Sequence, residues 1–334
     1  MRGEIRKIKP SRQSLALAQG IFQQAVNPFR ASPMEPNASV RKCSEIPMVN
    51  VIIPTLASVE RFHLLQRAVH SIRNSSHRPL QIIAVVNGSR FDTGVCDWLK
   101  AQPDIHFEYV EKPSSPNAIL RGRELVATEF FSALDDDDEY LPGSTDLKLA
   151  KIQADPQLDL VVGNYYQKSD GGEVLRYSQL LNVPASPLEI LMEFNWLSSG
   201  NALFRTSSVG QTYFHNYHAY AEWTFVAFRL ALDGKKVAVV DAPVFRCHEG
   251  TPGSLSKSAD YFQAYIPLFQ RMLDLAPQHY VARLISRKLS AAHHDASVAA
   301  LERKNRLQAL KHHWLSLIHA GGLRYLGYTR HLIK

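Results

Sequence analysis

Cysteine is scarce in this chain. Cys43, Cys96 and Cys247 are the only three in 334 residues, and none forms the C-x-x-C spacing of a metal knuckle or redox pair. That pattern argues against a disulfide-stapled scaffold or a structural zinc site, and reduced thiols in a cytosolic protein are the expectation. No apolar run reaches the roughly 18 residues that would span a bilayer. Leu15 to Ala18, beside the basic N-terminus, is too short an apolar run for the core of a signal peptide. Repeats and low-complexity tracts are also lacking.

Net positive charge is missing from most of the chain, although the formal total is +7. Ten Lys or Arg lie between Val281 and Lys334 against only Asp295 and Glu302, an excess of +8 that leaves residues 1–280 at −1. A near-neutral body is unsuited to a nucleic-acid groove, so no nucleic acid is expected as a partner. The basic tail is suited to something anionic, such as the inner face of the cytoplasmic membrane.

What is present suits a globular enzyme. Hydrophobic residues make up 45% and charged residues 21%, enough for a sizeable core. Residues 1–47 have little periodicity, and the Pro-, Asn- and Ser-rich stretch 27–39 reads as a linker or extension. Order is expected from "MVNVIIPT" (48–55), a buried strand. A helix follows with Leu65, Ala68, Val69 and Ile72 on one face. "QIIAVVNGS" (81–89) predicts a second strand ending in an Asn-Gly turn, and "IHFEYV" (105–110) a third. Ser115-Pro116 opens a helix whose inner face is Ala118, Gly122, Leu125 and Val126. Further on, strands are expected at 158–167, 200–205 and 235–240, with helices at 186–194 and 222–232 and an all-helical region beyond Ala259. Strands alternating with helices imply an α/β fold with a mostly parallel sheet flanked by helices.

One stretch raises a chemical question. "FFSALDDDDEY" (130–140) delivers Asp135, Asp136, Asp137 and Asp138 from the end of an apolar strand. Four adjacent carboxylates repel one another and call for open water or a cation. A charge run is commonly a solvated loop. Its place at a strand's carboxyl end, where α/β sheets gather ligands, favours a site. Hard cations such as Mn²⁺ or Mg²⁺ take one or two carboxylates together with substrate phosphates.

"VNVIIPT", "IIAVVNGS" and "FFSALDDDDEYLPG", in this order, resemble the inverting family 2 glycosyltransferases of the GT-A (Rossmann-like) fold. "AEWTFVAFRLALDGKKVAVVDAPVFRCHEGTPGSLS" (221–256) is similar to that family's second signature. The resemblance spans about residues 48–256. It implies a D-x-D motif at Asp135 and Asp137, with the metal at Asp137 and the donor ribose near Asp135 or Asp136. It further implies nucleotide contacts at Pro54, Thr55 and Asn87, a catalytic base at Glu222, and a diphosphate or metal contact at His248. The bland readings remain beside these. Glu222 suits a helix N-terminus in any protein, His248 suits a hydrogen-bonded structural role, and Trp223 suits the core. The chain also departs from the family pattern. Val86 replaces an acid beside Asn87, and Ile119-Leu120 stand where Arg-Asn is usual, with Arg121 or Arg123 as nearby basic substitutes.

The function so implied is metal-dependent, inverting transfer of a sugar from a nucleoside-diphosphate sugar to a saccharide or lipid-linked saccharide acceptor, as in cell-envelope or surface polysaccharide synthesis. Metal-dependent nucleotidyl transfer, nucleotide binding, or a non-catalytic scaffold are the alternatives. The domains expected are an N-terminal extension (1–47), a GT-A domain (48–258) and a basic helical region (259–334). In the last, Leu307, Leu310, Trp314 and Leu317 form an apolar stripe. It would pack as a helical cap on the sheet, or the region would lie on an anionic membrane.

Overall fold

A computed structural model describes residues 48–251, 264–276 and 278–333. The expectations for residues 1–47, Cys43 among them, and for Gly-Ser-x-Ser at 253–256 lie outside the described residues. Those described belong to the compact unit Glu45–Lys334.

Strand β1 (Val49–Thr55) is buried along its whole length, as the Val/Ile run requires of a strand covered on both faces. Around it, β2 (Gln81–Asn87), β3 (Ile105–Val110) and β4 (Phe130–Ala133) complete the parallel half of the sheet. Helices α1 (Phe62–Asn74), α2 (Thr93–Lys100) and α3 (Ser115–Leu125) make the crossovers. Helix α1 buries the expected Leu65, Ala68, Val69 and Ile72. The Ser114 hydroxyl caps α3 by accepting from Asn117 N–H, and Pro116 occupies the first turn. Gly122 lets α3 lie against β1, since a Cβ there would come within 2.3 Å of Ile52. Val126 has extended backbone just past the helix and does not continue its inner face.

The second half of the sheet is mixed rather than parallel. Short β5 (Glu139–Tyr140) and helix α4 (Ser144–Ala154) lead to β6 (Leu160–Ser169), β7 (Gly172–Leu175), helix α5 (Pro187–Glu193) and β8 (Ala202–Arg205). Helix α6 (Glu222–Leu232) then leads to β9 (Val237–His248). The order is β3-β2-β1-β4-β8-β6-β9-β5, with β7 beside β6. Strand β8 runs antiparallel between β4 and β6, while β6 and β9 are parallel. Strand β9 runs eight residues past the expected 240, and its far end pairs with β5 directly behind the aspartates. Strand order reverses between β1 and β4, which opens a crevice beyond their carboxyl ends.

Helices α7 (Tyr265–Leu275), α8 (His279–Glu302), α9 (Arg306–Ile318) and α10 (Thr329–Ile333) follow. Leu268 and Met272 of α7 and Val281 and Ile285 of α8 share a core with Phe225 and Phe228 of α6. The apolar stripe on α9 faces the other way from the expected cap. Helix α9 packs through Ala309, His313 and Ser316, leaving Leu307, Leu310 and Trp314 exposed and Leu317 half-buried. Small residues on the facing helix, Ser290, Ser297 and Ala300, explain the inversion. Ser290 and Ser297 donate to the carbonyls of Ser316 and Ala309 at 2.8 and 2.7 Å, a close approach that leucines would prevent.

Candidate active site

The crevice beyond β1 and β4 holds the aspartates, and they have different environments. Leu134 N–H still bonds to Ile52 O at 2.9 Å, so the chain leaves the sheet at Asp135. A turn closed by Asp138 N–H on Asp135 O at 3.1 Å follows. Asp136 is buried, accepts the Thr55 hydroxyl at 2.7 Å and pairs with Arg61. Asp138 is buried too and accepts His248 N–H at 2.9 Å. Asp135 accepts the Ser199 hydroxyl at 2.9 Å. Asp137 sits 3.2 Å from Arg61, and its main-chain carbonyl accepts from Arg67. The four carboxylates therefore divide: Asp136 and Asp138 are buried and tie the loop down, while Asp135 and Asp137 are half-buried beside Ser199 and Arg61.

Their ionisation follows from that placement. Burial, then the charges of Asp137, Glu222 and Asp136, pushes the Asp135 carboxyl up to about 7 against the pull of Ser199. Burial raises Asp136, with Arg61 and Thr55 opposing, and raises Asp138 well above the carboxylate range. Glu222 is the first residue of α6, with no side-chain cap beside it. Burial raises its carboxyl as well. Its charge is one of the smaller influences raising the Asp135 carboxyl, 87 positions earlier in the sequence, which sets Glu222 in the electrostatic neighbourhood of that aspartate. Glu222 also lines a small apolar cavity with Pro116, Ile119, Phe214, Tyr217 and Trp223. Trp223 stacks on Phe204 and packs edge-on to Phe214, as a core residue would.

The remaining expected residues have defined partners. Asn87 donates to Thr55 O at 3.0 Å and accepts Ser114 N–H at 3.1 Å, so its amide ties β1, β2 and α3 together. Gly88 (φ +82°) makes the turn beside it. Pro54 lies inside β1, in register with Val85. His248 approaches through its backbone, while its ring Nε2 bonds Glu139 at 2.8 Å and burial lowers its pKa. Arg121 pairs with Glu108 and Glu124, and Arg123 is buried on the carbonyls of Thr206 and Val209. Neither points at the aspartates. Among the described residues, the basic groups that reach them are Arg61 and Arg67, and sequence spacing held no signal for either. Ser199 was equally unmarked. Its loop is pinned by buried Asn201, which accepts Ser198 N–H at 2.9 Å and donates to Trp196 O at 2.8 Å and Gly163 O at 3.3 Å.

Among the described residues, no three His, Cys, Asp or Glu side chains form a ready metal cage. The donor chemistry nonetheless fits a hard cation. Such ions are commonly held by one or two carboxylates plus phosphate oxygens, and Asp135 and Asp137 offer two half-buried carboxylates at the strand end.

A mixed sheet flanked by helices, with carboxylates at the switch point between β1 and β4, is the architecture of the GT-A glycosyltransferases. The sequence model of the glycosyl transferase family 2 matches residues 50–218, about half the chain, and the protein belongs to that family. The structure resembles S. aureus TarS 1–349 in complex with UDP-GlcNAc, at 12% identity and TM-score 0.58, with 79% of each chain covered. It also resembles TarS 1–349 alone (12% identity, TM-score 0.53, 80% of each chain) and TarS 1–349 with UDP (11%, 0.53, 78% of this chain and 74% of that one). No curated protein matches the sequence.

Proposed function

We propose that the protein is an inverting glycosyltransferase that moves a sugar from a nucleoside-diphosphate sugar to an acceptor hydroxyl. The observation that supports this most is the run of aspartates at the carboxyl end of β4, beside the switch point between β1 and β4, in a chain of the glycosyl transferase family 2. Glu222 takes the acceptor's proton as the new bond forms from acceptor oxygen to anomeric carbon. Its raised pKa makes it a stronger base than an ordinary glutamate. The bond from anomeric carbon to phosphate oxygen breaks on the opposite face, and the nucleoside diphosphate leaves with the electron pair. One displacement with one base requires no covalent enzyme intermediate and inverts the anomeric centre.

Asp137 with Asp135 would hold Mn²⁺ or Mg²⁺, which when bound supplies Lewis-acid stabilisation of the diphosphate. Thr55 and Asp136 form the wall beside the ribose, and Arg61 places a positive charge at the same edge. UDP is the first nucleotide to test, because TarS has been crystallised with UDP and with UDP-GlcNAc. The acceptor is a saccharide or lipid-linked saccharide of the cell envelope or surface, a reading supported by family likeness.

The test is Glu222→Gln. UDP should raise the melting temperature of the variant as it does that of the parent chain. Hydrolysis or transfer from the donor, read as released nucleoside diphosphate, should fall by about 10²-fold or more. Near-normal release would move the base elsewhere, and release of pyrophosphate instead would favour nucleotidyl transfer.

A further inference from the structure

Helix α9 exposes what an amphipathic helix ordinarily hides. Leu307, Leu310, Trp314 and Ile318, at i, i+3, i+7 and i+11, form one outward stripe, with Leu307 81% and Trp314 66% exposed. Leu323 and Leu326 in the following 3₁₀ segment (Gly322–Tyr328) and Ile333 of α10 are exposed as well. Seven large apolar side chains turned to water within 27 residues are unusual, since contiguous exposed apolar surface commonly marks an interaction site. Arg306 and Lys311 flank the stripe on α9. With Arg303, Lys304, Arg324 and Arg330 they are exposed, and among the described residues none of the six pairs with a carboxylate.

We infer that this face docks on an anionic phospholipid surface, with the apolar stripe entering the headgroup boundary and the basic residues meeting lipid phosphates. The charge pattern selects that occupant. A second copy meeting the same face by twofold symmetry would bring two positive surfaces together. Residues 1–47 carry eight Lys or Arg against three Glu, so they too have the wrong sign to cover it. An anionic membrane satisfies both halves of the surface, and Trp is a favoured side chain at such a boundary. Among the described residues, no helix is long and apolar enough to cross a membrane, so attachment by this face is peripheral. The docking stands independently of the sugar-transfer reading.

The test is co-sedimentation of the full chain with phosphatidylcholine vesicles, with and without roughly 30% phosphatidylglycerol, at about 0.15 M salt. Binding is expected only to the anionic vesicles, and it should weaken at about 0.5 M salt. The double variant Arg306→Gln/Lys311→Gln should bind about 25-fold more weakly, a factor of about five for each charge removed. Leu310→Ser/Trp314→Ser should reduce binding by about tenfold or more while leaving donor turnover unchanged. These side chains are exposed, so unchanged far-UV circular dichroism and melting temperature would show that both variants fold. Three results would overturn the inference. They are no binding to anionic vesicles, binding indifferent to both variants, or a parent oligomer that Leu310→Ser/Trp314→Ser converts to monomer, which would make the face an interface between copies.

Discussion

Replacing Asp135 with Asn should stabilise the protein while destroying its proposed activity. The carboxyl is pushed to about 7 by burial and by Asp137, Glu222 and Asp136, against about 3.9 for an unfolded aspartate. A folded-state pKa above the unfolded one means the native protein holds the proton more tightly. Stability is therefore full below the unfolded pKa and is lost as pH rises through the folded one. For this group the loss is on the order of 1–2 kcal/mol by pH 5 and about 4 kcal/mol by pH 8. An asparagine is isosteric, stays neutral and can still accept the Ser199 hydroxyl. Urea denaturation in chelator-containing buffer would show the variant more stable by up to about 4 kcal/mol at pH 8, with a much smaller gain at pH 5 and an unchanged m-value. Added Mn²⁺ should narrow the gap at pH 8 by stabilising the parent chain, because the ion binds the ionised carboxylates. A variant less stable than the parent at pH 8, or a gain independent of pH, would refute the idea that uncompensated charge is stored at this strand end.

Two further predictions concern the scaffold. Lys148 of α4 is fully buried, its ammonium lacks a hydrogen-bond partner and lies 4.6 Å from the centre of the Tyr140 ring, and burial lowers its pKa to about 7. A lowered lysine pKa disfavours the fold below the unfolded value and does so fully below about 7. Lys148→Met should therefore stabilise by up to about 4 kcal/mol at pH 6 and by little at pH 10, read from denaturation at both values. Gly122→Ala should destabilise by about 1–3 kcal/mol, because its Cβ would meet Ile52 in the middle of β1. A thermal melt unchanged by the alanine would mean that α3 can lift from the sheet without cost.

The parallel half of the fold was legible because its signals are local. β1 and β2 announce themselves as Val/Ile runs, α1 by its spacing, and α3 by Ser115-Pro116 at its start. Helices α2 and α4 were not anticipated. The run of aspartates and the Glu-Trp pair were visible as chemistry, while their separate environments were not. Nothing in the spelling of four identical residues says that Asp136 and Asp138 are tied to Thr55 and His248 N–H while Asp135 and Asp137 meet Ser199 and Arg61. Arg61, Arg67 and Ser199 were silent because each reaches the site across 64 to 76 positions of chain. The stripe on α9 was legible as a stripe, but which of its two readings held, a cap on the sheet or an exposed face, was decided by small residues on a partner helix that outweighed its hydrophobicity.

Sequence alone determined the alternation of strand and helix, the delivery of carboxylates to the end of an apolar strand, and the concentration of positive charge in the last 54 residues. These depend on residue type and near-neighbour spacing, which the chain carries whether folded or not. Tertiary structure decided which aspartates are buried and which half-buried, that Arg61 pairs with them, that the charge of Glu222 reaches Asp135, and which face of α9 meets water. Each of those is a property of distance between remote segments, and only the packed sheet and its helices set such distances.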